Sequence, residues 1–247
     1  MSTIQSVETR HCDAGWRNYH FLRITTDEGV VGWSEYDENL GATGLTAVLE
    51  EMAPTLIGEP VEATERIRAE LVGQARQSFT GVMAMAVGTI ENALLDGKAK
   101  ELGVPCVDLL GGAVREEIPV YWSHCGTYRI SRPEWYEPIE TLEDVEALGE
   151  EVRDSQFSAL KTNIFDFSGE EPTYWAPGFG QPFHPSLTIE DAQIRELRRY
   201  LEALRDGTGP DVDILLDLNY NAKPEGYIRI LRELADFDLF WVEIDSP

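Results

Sequence analysis

The chain has 247 residues, of which 43% are hydrophobic and 10% aromatic. A chain of this length and composition buries a sizeable core and has room for one large or two modest domains. Its formal net charge is -25, and so strong a negative field repels nucleic acid and anionic membrane surfaces. We therefore expect neither of them as a partner.

Three cysteines occur, Cys12, Cys106 and Cys125, with no CxxC spacing among them. An odd number without such a motif favours a reducing compartment over a disulfide framework. The first residues, MSTIQSVETRHC, have no basic stretch followed by an apolar one, and no apolar run reaches the ~18 residues of a membrane-spanning helix. We predict a cytoplasmic protein.

The first part of the chain has strand patterns followed by helix patterns. In HFLRITTDEGVVGWSE, at 20–35, alternating residues flank the turn sequence Asp27-Glu28-Gly29, which predicts a β-hairpin. Helical periodicity follows, and we predict three helices, at about 44–57, 61–77 and 82–103. Because the strands and helices are segregated, residues 1–117 are predicted to form an α+β domain.

From residue 118 onward, strand and helix patterns alternate. The predicted strands lie at 118–124, 158–165, 213–219 and 239–245. The predicted helices between them lie near 142–153, 189–205 and 225–236. Short connections of this kind imply parallel strands joined by right-handed crossovers. Residues 118–247 are therefore predicted to form a doubly wound sheet or part of a β/α barrel.

One long segment interrupts this alternation. DFSGEEPTYWAPGFGQPFHPSL, at 166–187, is rich in Gly, Pro and aromatic residues and directly follows the strand predicted at 158–165. A loop of this length in a compact domain is usually functional or disordered. Its aromatic content favours an ordered lid.

Polar doublets stand at the ends of three predicted strands. They are Lys161 with Asn163, Asp217 with Asn219, and Glu243 with Asp245. Residues two apart on a strand share a face, and in parallel α/β folds the carboxyl ends of the strands form the active site. Asp217 and Glu243 are separated by one helix-plus-strand unit, so their carboxylates are expected side by side. Such a pair requires a shared proton or a cation, and oxygen ligands favour Mg²⁺.

These residues also carry a family resemblance. GTIENALLDGKAKELGVPCVDLLGG, followed by IPVYWS, LKTN, LLDLN and WVE, resembles the mandelate racemase and muconate lactonizing enzyme branch of the enolase superfamily, in order and over almost the whole chain. The resemblance implies an α+β capping domain, residues 1–117, followed by the amino-terminal half of a (β/α) TIM-type barrel, residues 118–247, with about four of eight strands.

The resemblance also implies a chemistry. Mg²⁺ held by Asp217 and Glu243 would stabilise the enediolate formed when a base removes the proton α to a carboxylate. Lys161 takes the first position of the family's Lys-x-Lys motif and would be the electrostatic partner of the substrate carboxylate. The amide of Asn219 would bind a substrate oxygen or orient a metal ligand.

Asn163 departs from the family pattern, because racemases of this family carry a second lysine at that position. An amide takes up no proton at neutral pH, so one-base chemistry such as dehydration of an acid sugar is favoured. Racemisation, epimerisation and cycloisomerisation on the same scaffold stay open. Tyr174 and His184 in the long loop are candidate catalytic acids or bases in place of the missing lysine.

Three further residues are candidates for substrate binding. Trp16 and Arg17 lie in DAGWRNYH, at 13–20, the loop that the family places over the barrel mouth. Arg17 would pair with a distal carboxylate, Trp16 would exclude water, and His124 ends the first predicted barrel strand.

The sequence ends at WVEIDSP, and the resemblance implies a third metal carboxylate and further bases on later strands. We therefore expect the chain to be incomplete as an enzyme, either truncated or completed by a C-terminal polypeptide. A homo-oligomer is the alternative to such a complementing polypeptide. A catalytically inactive fragment that only assembles with partners is an alternative to the enzymatic function.

Overall fold

The computed structural model describes residues 2–15, 17–39, 42–74, 78–179 and 187–245. The chain folds as two compact units, Met1–Glu116 and Glu117–Pro247. Within the described ranges, no helix has both the length and the apolar character needed to cross a membrane.

The first unit packs helices against a three-stranded antiparallel sheet. The strands are β1 (Ile4–Asp13), β2 (Asn18–Thr26) and β3 (Val31–Tyr36), in the order β1-β2-β3. Its helices are α1 (Leu45–Leu56), α2 (Thr64–Gln74), α3 (Gly81–Leu102) and the short α4 (Cys106–Leu109). The hairpin and the three helices lie where the periodicity predicts them, and their apolar faces share one core.

The second unit contains a short parallel sheet, in agreement with the predicted alternation. Its order is β4 (Ala159–Thr162), β7 (Asp213–Asp217) and β8 (Trp241–Glu243). A separate antiparallel pair, β5 (Phe165–Asp166) and β6 (Thr173–Tyr174), lies within and next to the long loop. In the described residues of this unit, the α-helices are α5 (Thr127–Ser131), α6 (Leu142–Asp154), α7 (Asp191–Thr208) and α8 (Pro224–Glu233).

The strand predicted at 118–124 is wrong in extent. Only Trp122 pairs, in an isolated parallel bridge with Leu160. The amide of Trp122 donates to the carbonyl oxygen of Ala159 at 3.0 Å, and the amide of Lys161 donates to that of Trp122 at 2.8 Å. Pro119 has no amide hydrogen to offer a ladder, and the neighbouring Ile118 and Val120 are exposed rather than packed.

Helices α6 and α7 approach each other closely beside the sheet. A Cβ atom added at Gly207 would lie 2.0 Å from the carbonyl oxygen of Glu146, so only glycine fits there. Apolar residues of both helices enter the same core as β4 and β7, including Leu148, Val152, Leu197 and Leu204. This packing fixes the position of the strands whose ends carry the polar doublets.

The described part of the long loop is ordered against the residues that follow β7. The amide of Gly178 donates to Asn221 Oδ1 at 2.9 Å, and the ring of Phe179 lies 4.7 Å from that of Tyr220, between centroids. A 3₁₀ turn spans Pro177–Phe179. The loop therefore contacts the carboxyl end of the sheet.

Candidate active site

Polar side chains gather where the three parallel strands end. Asp217 is the register partner of Glu243 on the adjacent strand, and Lys161 lies on β4, on the other side of β7. Parallel pairing brings all three strand ends to one edge of the sheet, because the chain runs in the same direction in each of them. The carboxyl edge is the edge at which parallel α/β folds bind ligands.

The ammonium group of Lys161 contacts both carboxylates. Its Nζ lies 3.2 Å from Asp217 Oδ2 and 2.8 Å from Glu243 Oε2. The side chains of Lys161 and Asp217 are 10% and 7% exposed, whereas that of Glu243 is 37% exposed. Burial opposes the charge on Lys161, but the hydrogen bond to Glu243 and the charge of Asp217 outweigh it and raise the lysine pKa. Lys161 is therefore a cation at neutral pH.

The other oxygen of Asp217 is held by Asn219. The backbone amide of Asn219 donates to Asp217 Oδ1 at 2.9 Å, and its Nδ2 donates to the same oxygen at 2.7 Å. Asn219 adopts a left-handed conformation with φ of 50°, which asparagine tolerates better than most residues. This local turn leaves Oδ2 of Asp217 directed towards Lys161.

Asn163 has both ends of its amide engaged. Its Oδ1 accepts a hydrogen bond from Thr127 Oγ1 at 2.8 Å, and His124 Nδ1 lies 3.4 Å from the same oxygen. Its Nδ2 donates to the carbonyl oxygen of Asp217 at 3.3 Å, and the residue is 1% exposed. Asn163 and His124 are thus brought next to the Lys161 and Asp217 pair, and Asn163 connects the ends of β4 and β7.

Asp245 joins the two carboxylates. Oxygen atoms of Asp217, Glu243 and Asp245 all lie within 4.8 Å of one another. Burial, followed by the charges of Asp217 and Glu243, raises the pKa of the Asp245 carboxyl. The sequence pattern does not single out Asp245 as a metal ligand, although its position two residues after Glu243, on the same face of the predicted strand, is a signal for that role.

These donors fit a hard divalent cation. All three are carboxylate oxygens, the ligand type that Mg²⁺ prefers. Because these oxygens all lie within 4.8 Å of one another, Asp217, Glu243 and Asp245 could hold one such ion together.

Tyr174 lies on β6, near enough to Asp217 and Asp245 for their charges to act on it. Burial, followed by the charge of Asp217, raises the pKa of Tyr174 to about 12, so its hydroxyl is a hydrogen-bond donor at neutral pH. His184 lies outside the described residues, and so does Trp16. Arg17 lies in the first unit, where its guanidinium is 4.2 Å from the centre of the Tyr19 ring.

The two halves of the chain match two domains of one family. Residues 5–111 match the mandelate racemase / muconate lactonizing enzyme N-terminal domain, and residues 143–243 match the enolase C-terminal domain-like model. The chain belongs to the mandelate racemase and muconate lactonizing enzyme branch of the enolase superfamily. The first unit is accordingly the capping domain of that fold, and the second is part of its barrel.

Among the curated relatives of this family member are proteins named as sugar-acid dehydratases. A D-galactonate dehydratase family member of Streptomyces bingchenggensis is 29% identical, over 99% of this chain and 58% of its own length. D-xylonate dehydratase of Haloferax volcanii is 27% identical, over 99% of this chain and 54% of its own. The chain thus spans somewhat more than half the length of these curated relatives.

A solved structure is more similar in sequence. The crystal structure of a putative L-alanine-DL-glutamate epimerase from Burkholderia xenovorans strain LB400 is 56% identical, with a TM-score of 0.95, over 99% of this chain and 62% of that one. A second crystal structure of that protein is bound to magnesium and fumarate.

Proposed function

We propose that this family member takes part in the Mg²⁺-dependent removal of a proton α to a carboxylate, in the dehydration of an acid sugar. One observation carries the proposal, namely the convergence of the Lys161 ammonium with the carboxylates of Asp217 and Glu243 at neighbouring strand ends. The magnesium in the 56% identical relative supports the choice of cation.

Asp217 and Glu243 would hold the cation, and Asp245 would be a third oxygen donor within this chain. When bound, Mg²⁺ supplies positive charge that stabilises the negative charge developing on the substrate carboxylate. Asn219 keeps Asp217 in place through its two hydrogen bonds to Oδ1. A ligand fixed in this way needs little reorganisation when the charge develops.

Lys161 would bind the substrate carboxylate as a cation. Its ammonium charge at the strand ends suits electrostatic stabilisation of that carboxylate. Asn163 takes up no proton at neutral pH because it is an amide, and both ends of that amide are already engaged. The segment Lys161-x-Asn163 therefore lacks the second lysine that racemases of this family carry, and this argues for one-base chemistry.

Tyr174 would act as an acid. With a pKa of about 12 it retains its proton at neutral pH, so it is suited to donate to a departing hydroxide and unsuited to abstract a proton. Loss of water distinguishes dehydration from racemisation. The names of the dehydratase relatives support an acid sugar as the substrate class.

Epimerisation is the second candidate, and the name of the 56% identical relative, a putative L-alanine-DL-glutamate epimerase, favours it. Proton exchange separates the two reactions. The protein is incubated with Mg²⁺ in D₂O and with galactonate, mannonate, gluconate, xylonate or L-alanyl-L-glutamate, and the Cα proton is followed by NMR. Dehydration replaces the sugar-acid signals with those of a 2-keto-3-deoxy acid, whereas epimerisation exchanges the proton without loss of water.

The matched control is Asp217→Asn, which must abolish any exchange that depends on Mg²⁺. Exchange that persists in this variant, or that continues after chelation of the metal, contradicts the proposed site. Exchange only with the dipeptide assigns the chain to the second candidate.

A further inference from the structure

The ammonium of Lys161 lies against the oxygens that would ligate the cation. Nζ is 2.8 Å from Glu243 Oε2 and 3.2 Å from Asp217 Oδ2, and Lys161 is 8% exposed as a residue. The lysine is therefore a close counter-ion for both carboxylates, and water screens its pair with Asp217 less than its pair with the more exposed Glu243.

Asp217 has one oxygen to offer a cation. Its Oδ1 already accepts two hydrogen bonds, from the backbone amide and the Nδ2 of Asn219. A cation that binds Asp217 therefore uses Oδ2, which is the atom that Lys161 contacts. Mg²⁺ would lie about 2.1 Å from this oxygen and would repel an ammonium held beside it.

We propose, on the basis of the proposed function, that Lys161 is exchanged for the cation. Binding of the divalent ion to Asp217 Oδ2 and Glu243 Oε2 releases the ammonium from both carboxylates and makes it available to the carboxylate of the substrate. Cation binding and formation of the anion-binding site are then one event. By linkage, a substrate-like anion strengthens cation binding by the same factor as the cation strengthens anion binding.

Lys161 is then a competitor of the cation as well as a partner of the substrate. Removal of its charge then has two opposite consequences. The cation binds more tightly because nothing has to be displaced, and the anion no longer affects cation affinity because its own partner is gone. A lysine that contacts only the substrate, away from both carboxylates, would change cation affinity much less.

The test measures Mn²⁺ affinity by isothermal titration and by electron paramagnetic resonance, with and without fumarate as the anionic probe. We expect Lys161→Met to bind Mn²⁺ about tenfold more tightly than the wild type in the absence of fumarate. Fumarate should strengthen Mn²⁺ binding to the wild type and leave the variant unchanged. Lys161→Arg keeps the charge and should stay close to the wild type.

Lys223→Met is the matched control, because Lys223 is a lysine whose Nζ contacts the hydroxyl of Thr188 on the surface. It should leave both affinities unchanged. If Lys161→Met does not fold, Lys161→Gln carries the same expectation. The increase in melting temperature caused by Mn²⁺ gives a second readout, and it should be larger without the lysine charge.

Equal Mn²⁺ affinity in the wild type and in the uncharged variants overturns the exchange and leaves the proposed function standing. Persistence of the fumarate effect in Lys161→Met overturns it as well. Failure of every protein to bind Mn²⁺ refutes the proposed metal site, and the exchange falls with it.

Discussion

The two ends of strand β7 differ in the kind of charge that they hold. Near Asp213, at its beginning, a groove of about 560 Å³ is lined by charged residues that include Arg198 and Asp236, whose side chains are 28% and 65% exposed. At its carboxyl end, Asp217 pairs with Lys161, and these side chains are 7% and 10% exposed. The burial of converging charges therefore marks the candidate site better than the size of a cavity does.

Energetics explain why burial is informative. An exposed ion pair contributes little to stability because water screens it, so it is common on any charged surface. In a buried pair, the attraction between the charges must offset the hydration free energy that they lose. The presence of a buried pair is therefore weak evidence that it stabilises the fold. Buried charges at the carboxyl edge of a parallel sheet therefore call for a functional explanation.

Breaking the carboxyl end should have the largest effect. Asp217→Asn removes the charge while it preserves size, and we expect Mn²⁺ affinity to fall by more than about a hundredfold, because a direct ligand matters more than its hydrogen-bonded neighbours. Asp213→Asn makes the same change at the other end of β7. Isothermal titration should show no change for this control. If Asp217→Asn and Asp213→Asn lost the same Mn²⁺ affinity, the carboxyl end of β7 would not be a distinct metal site.

Asn219 gives a smaller and sharper test of the same end. Asn219→Gly accepts the left-handed conformation and loses only the hydrogen bond from Nδ2 to Asp217 Oδ1. We expect Mn²⁺ affinity to fall about tenfold, the usual scale for a residue that orients a metal ligand. Asn219→Ala adds backbone strain, and thermal denaturation measures this separately. Unchanged affinity in the glycine variant would show that Asp217 needs no such support.

Much of this architecture follows from the sequence. Periodicity predicts the hairpin and the principal helices because one apolar face of each element enters a core. It also predicts the register of Asp217 with Glu243, since one helix-plus-strand unit separates them and the strands are parallel. These features depend on local order and repeat length, which are visible in a single chain.

Other features depend on tertiary contacts and escape such reasoning. The contact of Lys161 with both carboxylates depends on the relative positions of three strands. The segment 118–124 has a strand-like composition, yet Pro119 and the absence of apolar packing limit it to one bridge. The strand β1 carries many polar residues, so its pairing with β2 is what makes it recognisable.

The pH dependence of stability tests the burial of Tyr174 near the carboxylates. Its pKa is raised from 10.0 to about 12, so the folded state binds the phenolic proton more tightly than the unfolded state does. The associated stability is fully present below pH 10 and is lost as the pH rises towards 12. We expect Tyr174→Phe to show a smaller loss over this window in urea denaturation than the wild type does. Tyr136→Phe, at an exposed tyrosine, is the control.

We expect the smallest effect from a change to the ion pair of Arg198 with Asp236, which has good geometry but is exposed to solvent. Arg198 contacts Asp236 with two hydrogen bonds of 2.9 Å each, a geometry at least as good as that of Lys161 with Asp217. We nevertheless expect Asp236→Asn to leave both the melting temperature and the Mn²⁺ affinity unchanged within error, because solvent screens the pair. A drop of several degrees would mean that this end of β7 depends on its charges as well. An unchanged melting temperature would show that good geometry does not make an exposed ion pair important, and it would leave burial as the feature that distinguishes the carboxyl end.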